Sequence, residues 1–115
     1  MKIICEEAGK NLIAYIDGDI DHHTSDEIKE KIDRAFLRLG AKNIIINFEK
    51  VGFMDSSGIG VLIGRYKMLE NRGEGGKLVI ACINDAVSRL FYISGLTRII
   101  KNAETVDEAV KIIGG

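Results

Sequence analysis

The stretch FMDSSGIGVLIGRYK, residues 53–67, sets an acid, two serines and a glycine between a strand-like run and a helix-like run. Those residue types at that spacing fit four chemistries. A nucleophilic serine needs a base within reach and a third group to orient it, and His22 and His23, with Asp21 behind them, are the candidates. MDSSG is nevertheless not the G-x-S-x-G elbow of hydrolases, and 115 residues leave little chain to cover a substrate pocket. A phosphate cradle is the second option. Gly58, Gly60 and Gly64 lack the lysine of a P-loop and the spacing of a dinucleotide fingerprint, and close helix–sheet packing accounts better for Gly60 and Gly64. A receiver-like aspartyl phosphate on Asp55 would want a metal-holding acidic pair after the first strand, but Glu6 and Glu7 follow the wrong strand of a hairpin. The fourth reading is a plain helix cap, in which Asp and Ser oxygens satisfy orphan backbone N–H groups. Asp55 and two serines are more polar groups than one cap uses, so the junction stays open.

The elements that must position these residues are legible as runs. KIICEE and NLIAYIDGDI are strand-like, and the intervening AGKN suggests a hairpin. Thr24 and Glu27 have the spacing of a capping box. The helix after them repeats apolar residues at Ile28, Ile32, Ala35, Phe36 and Leu39 and ends at Gly40. NIIINFE reads as a strand buried on both faces. Beyond the junction, Ile59, Leu62, Tyr66 and Leu69 form one helical stripe closed by Gly73. KLVIAC is another strand, and Asn84 caps a helix carrying Val87, Leu90 and Phe91 that stops near Gly95. RIIK, residues 98–101, reads as a short strand. Thr105 and Glu108 form a second capping box over Val106, Ala109, Val110 and Ile113.

From residue 11 the order is strand, helix, four times over. This predicts an α/β fold with a mainly parallel mixed sheet of about five strands and about four helices. In such sheets function gathers beyond the carboxyl ends of the strands. The DSSG turn and the DGDIDHH turn, residues 17–23, should therefore share one rim.

Composition bounds the function. The chain is 46% hydrophobic and 29% charged with a net charge of −1, as for one soluble globular domain over residues 1–115. No basic surplus points to nucleic acid, and no polybasic run points to a membrane surface. The apolar runs are far shorter than the roughly 18 residues of a membrane span, and acids arrive too early for a signal peptide. The expected location is the cytoplasm. Cys5 and Cys82 lack a metal-ligand spacing and read as two buried free thiols. His22 and His23, adjacent in an extended segment, should point opposite ways, one packed or hydrogen-bonded and one exposed. No metal and no cofactor are expected. RLFYISGL, residues 89–96, is apolar enough to be core, with Phe91 and Leu96 sealing the third helix.

DGDIDHHT, FMDSSGIGVLIGRYK and RLFYISGL together resemble the anti-sigma factor antagonists of the STAS family, over about residues 2–113. DHHT and GRYK are most similar to the sporulation members. The resemblance implies a STAS-type domain that is a regulatory binding module and not an enzyme. It implies binding to an anti-sigma factor that is also a serine kinase, with ADP or ATP bound, and release of a sporulation sigma factor. It further implies that the kinase phosphorylates the serine after the junction aspartate, here Ser56, and that a serine phosphatase resets it. Asp55 matches the family aspartate, and Asp21 matches an acid in the neighbouring loop. The implied partner-facing rim holds Asp21, His22, His23, Asp55, Ser56, Ser57 and Gly58. Arg65 and Lys67 are cations of the usual solvated kind or partner contacts, and Arg65 is taken as the contact. Ser57 falls near the cap position, which leaves the Ser56 hydroxyl exposed. A second function class remains open, a STAS-like module with nucleotide-binding or weak nucleotidase activity, because the junction is rich in glycine.

Overall fold

Strand β1 (Lys2–Ala8) turns back at Gly9 and Lys10 into β2 (Asn11–Asp17), pairing Lys2 with Asp17 and Ala8 with Asn11 in antiparallel register. All later pairings are parallel, and parallel neighbours need a crossover long enough to hold a helix. The chain supplies three: α1 (Ser25–Leu39), α2 (Ser56–Arg72) and α3 (Asp85–Ser94) link β2 to β3 (Asn43–Lys50), β4 (Leu78–Ala81) and β5 (Lys101–Ala103). The structure, a computed structural model, describes residues 1–114.

The sheet order is β1-β2-β3-β4-β5, so each crossover steps one strand in the same direction. Crossovers of one hand then place their helices on one face. The core shows this. Ile28, Ile32 and Phe36 of α1, Leu62 and Leu69 of α2, and Phe91 of α3 pack in one cluster with Leu12, Ile44, Ile46 and Phe48. Phe48 and Phe91 meet edge to face, their centroids 6.0 Å apart. The opposite face carries Ile13, Ile45, Val79, Ala81 and Ala103 beneath α4 (Val106–Gly114). β3 is thus buried on both faces, which is why its first six residues are buried without alternation. At the lower end of the sheet, the Asn43 amide donates to Asn11 Oδ1 at 3.0 Å and its own Oδ1 accepts the Lys77 N–H at 2.9 Å. One side chain thereby aligns the starts of three strands.

Several sequence expectations need correction. RIIK is not a strand. Gly95 takes a left-handed φ of 82°, Leu96–Arg98 form a 3-10 turn, and the Ile100 N–H donates to Leu96 O at 2.8 Å. Leu96 and Ile100 are both buried, brought to the same side of the turn by that backbone bond. Pairing with β4 begins only at Lys101. The Thr24–Glu27 box does not form either. Thr24 is already in helical backbone conformation, and its hydroxyl donates to Asp19 O at 2.9 Å and accepts from the Asp21 N–H at 3.0 Å. At α4 the Thr105 hydroxyl does accept the Glu108 N–H, at 3.0 Å. Both cysteines are free but only half-buried, and burial pushes both thiols above the usual range. In RLFYISGL, Phe91 and Leu96 are core, but Tyr92 and Ile93 are 76% and 73% exposed.

Candidate functional site

The DSSG and DGDIDHH loops are stitched together backbone to backbone. The Gly18 N–H donates to Lys50 O at 3.1 Å, Ile20 N–H to Phe53 O at 2.9 Å, and Asp55 N–H to Ile20 O at 3.0 Å. Ile20 and Met54 form a parallel bridge beyond the named strands, and both side chains are buried. A third loop joins this rim, because Asn84 caps α3 through its Oδ1 while its amide donates to Val51 O at 3.1 Å. The two acid-rich loops do share one edge, the one beyond the carboxyl ends of β2 and β3.

At the junction, Asp55 is the helix cap. It has extended backbone, and its Oδ1 accepts the Ser57 N–H at 2.8 Å. That assignment corrects the expectation for Ser57, whose amide rather than whose own side chain takes part in the cap. Ser56 is the first helical residue and is exposed, whereas Ser57 is half-buried. The first turn of α2 contains no acid, so beyond the Asp55 cap no carboxylate of that turn opposes the partial positive charge of the helix N-terminus. Gly58 is buried, and a Cβ there would strike Met54 Cγ and Sδ and lie 2.9 Å from Ile20 Cγ2. Only glycine lets α2 start this close to the stitched loops.

The neighbouring loop is organised by Asp21. Its Oδ1 accepts the His23 N–H at 2.8 Å and the Thr24 N–H at 3.1 Å. The bond from the His23 amide holds the carboxyl below the usual Asp range; desolvation, the next largest effect, opposes it, and the bonds from Thr24 add to the lowering. His22 and His23 are both exposed, their rings edge to face at 5.2 Å. The expectation of one packed histidine fails because the segment is a turn, in which neighbouring side chains do not alternate between two faces. Among the described residues no group of three His, Cys, Asp or Glu side chains could hold a metal ion.

Arg65 is not on the rim's surface. It is 6% exposed, and its Nε lies 2.9 Å from Asp33 Oδ1 on α1. Neither of those atoms has a partner at hydrogen-bonding angles, so the contact is mainly electrostatic. Nη1 of Arg65 also donates to Val61 O at 3.3 Å. This pair holds α1 against α2, which the charge pattern of α2 alone could not reveal. Lys67 is exposed. Gly60 and Gly64 do not pack on the sheet either, since a Cβ at either position would meet nothing within 4 Å. They floor a shallow groove of about 290 Å³ between α1 and α2, bordered by Ser25, Asp26, Lys29 and Ser57. Ser25, Asp26 and Lys29 were not among the expected site residues. Nothing in the sequence marks them, because their proximity to the junction arises from packing between helices.

The STAS domain family model matches residues 2–109. An anti-sigma F factor antagonist of Paenibacillus polymyxa is 40% identical over 88 residues, 76% of this chain and 74% of the relative. An anti-sigma-B factor antagonist of Listeria monocytogenes is 36% identical over 92 residues, 78% of each chain. Among solved structures, the anti-sigma factor antagonist SpoIIAA in its unphosphorylated form has a TM-score of 0.80 at 29% identity, covering 99% of this chain and 98% of its own. The Bacillus SpoIIAA in the phosphorylated form has a TM-score of 0.72 at 28% identity, covering 96% and 99%. No helix among the described residues is long and apolar enough to cross a membrane. Five strands in sequential order with helices α1–α3 on one face are thus those of a known fold, and the chain belongs to the STAS family.

Proposed function

We propose that this protein is an anti-sigma factor antagonist switched by phosphorylation of Ser56. The observation that carries the reading is the exposed Ser56 at the first position of α2, directly after the capping Asp55 and beside the loop built by Asp21. In the unmodified state the rim of Asp21, His22, His23, Asp55, Ser56, Ser57 and Gly58 binds an anti-sigma factor serine kinase loaded with ADP or ATP, which releases a sporulation sigma factor. A serine phosphatase restores the modified protein. The protein acts in the cytoplasm as a single binding domain, residues 1–115, and is a kinase substrate rather than an enzyme. Solved structures of SpoIIAA in both an unphosphorylated and a phosphorylated form support a modifiable site in this fold.

The physical logic is a difference between two environments. A phosphate adds about −1.5 to −2 charges and three acceptor oxygens. The acid-free first turn of α2 tolerates that dianion, because N–H groups and the helix dipole favour it. At a desolvated protein contact, next to Asp55, the same charge is poorly tolerated. Incubation with the kinase and ATP should place one phosphate on Ser56, lost in Ser56→Ala and retained in Ser57→Ala. Phosphopeptide mapping to Ser57 would overturn the assignment.

A further inference from the structure

β1 lies at one end of the sheet, so one of its long sides has no strand partner. Exposed edges of this kind are ordinarily blunted by bulges, proline or extreme shortness. β1 has none of these: it runs seven residues in unbroken register with β2, and the chain contains no proline. Charged side chains, which also guard edges, are present as Lys2, Glu6 and Glu7, so a partner strand must pair them. Its alternate side chains divide cleanly. Ile3 and Cys5 face the α1 side, while Lys2, Ile4 and Glu6 line the opposite face together with Tyr15 and Asn47. α4 packs over β3, β4 and β5 and leaves this half of the sheet open, with Ile4 49% exposed.

The free N–H and C=O groups of an edge alternate with period two, so an antiparallel partner can join only residues of the same face. With a second copy of β1 the permitted registers are symmetric about one residue. Centred on Ile4, Lys2 stands opposite Glu6 of the second copy at both ends, Ile3 opposite Cys5, and Ile4 opposite itself. Centring on Cys5 would set Ile4 against Glu6, and centring on Ile3 would set Lys2 against Ile4, so both charge pairs are lost. Within each chain Ile4 already pairs with Tyr15, and Lys2 with Asp17. The Ile4-centred register therefore creates a continuous Tyr15–Ile4–Ile4–Tyr15 row and places each Lys2 between two carboxylates.

We propose that β1 is a self-pairing edge through which two copies of this chain join their five-stranded sheets into one. Because the two β1 strands run antiparallel, the rims bearing Ser56 point in opposite directions and both stay open to a partner. One strand pair is well below the area of about 1,000 Å² that marks stable interfaces. Lys31, Arg34 and Arg38 of α1, which flank Ile3 and Cys5, also approach their counterparts across the axis. The dimer is accordingly weak and concentration-dependent.

Sedimentation equilibrium from about 10 µM to about 1 mM tests this range. Wild type should show a monomer–dimer equilibrium. Lys2→Glu and Glu6→Lys should each weaken it about tenfold, by setting like charges opposite one another at both ends. The double variant Lys2→Glu/Glu6→Lys should restore it, which lost fold would not produce. Because Glu6→Lys only turns the net charge of −1 into one of equal size and opposite sign, its weakening separates strand pairing from net charge. Ile4→Cys in a Cys5→Ser/Cys82→Ser background should form an intermolecular disulfide under mild oxidation. A monomer throughout the range, single variants that associate like wild type, or a double variant no better than the singles would each overturn the proposal.

Discussion

Replacing Gly58 by alanine tests whether close packing at the start of α2 is what holds the junction in place. A Cβ at this position runs into Met54 Cγ and Sδ and sits 2.9 Å from Ile20 Cγ2. Met54 and Ile20 are 5% and 2% exposed and bridge the two loops, so neither can retreat without separating them. Overpacking of this kind costs about 1–3 kcal/mol. Removing a helical glycine returns up to about 1 kcal/mol, so the net destabilisation should be about 1 kcal/mol. Gly60→Ala is the matched control, because its Cβ meets nothing within 4 Å in the same helix. There the helical gain stands alone, about 1 kcal/mol of stabilisation. Thermal and urea unfolding should separate the two variants by about 2 kcal/mol, or roughly 6–10 °C in Tm for a domain of this size. If Gly58→Ala melts at or above Gly60→Ala, the argument that glycine permits the close approach is refuted.

Further predictions follow from the same geometry. Asp55→Ala removes the carboxylate that receives the Ser57 N–H and should cost about 0.5–2 kcal/mol in urea unfolding, with Asp55→Asn recovering most of it. Arg65→Met leaves Asp33 without its partner. Since Asp33 keeps some exposure, the loss should be about 1–3 kcal/mol, below that of a fully buried broken pair, and Arg65→Met/Asp33→Leu should recover most of it. Asp21 has a folded pKa below its ordinary 3.8, so its stabilising effect is present above that value and fades as pH falls through the folded pKa. The stability gap between wild type and Asp21→Ala should be constant at neutral pH and close on acidification below about 3.8. A gap that widens there would contradict the hydrogen-bonded carboxylate.

Elements with long apolar periodicity were legible in the sequence because burial imposes that period. The Ile28–Ile32–Phe36 stripe and the two-sided NIIINFE run found the places expected of them. Residues whose role depends on another element were not. Arg65 resembles any surface cation until Asp33, thirty-two positions earlier, is packed beside it. Gly60 and Gly64 read as helix–sheet contacts but face a groove that only the packing of α1 against α2 creates. Thr24 had capping-box spacing, yet the loop captured its hydroxyl first, for Asp19 O and the Asp21 N–H. RIIK had strand composition, but Gly95 and the buried Leu96–Ile100 pair converted it into a turn. At the junction, residue types showed that the site was more polar than a simple cap required. The division of labour between Asp55 as cap and Ser56 as the exposed hydroxyl needed the backbone.

In the proposed switch, a phosphate on Ser56 weakens partner binding through local charge while the domain stays folded. The most direct measurement is a calorimetric titration of the ADP-loaded anti-sigma kinase with the plain and the phosphorylated protein, paired with a thermal melt of each form. The helix N-terminus favours a surface anion by about 0.3–1 kcal/mol, whereas a mispaired charge at a desolvated contact costs about 2–5 kcal/mol. The second effect exceeds the first, so the phosphorylated protein should melt within a few degrees of the plain one and bind the kinase about 30-fold more weakly or worse. Equal affinity of the two forms, or a phosphorylated form that melts far lower, would contradict the account.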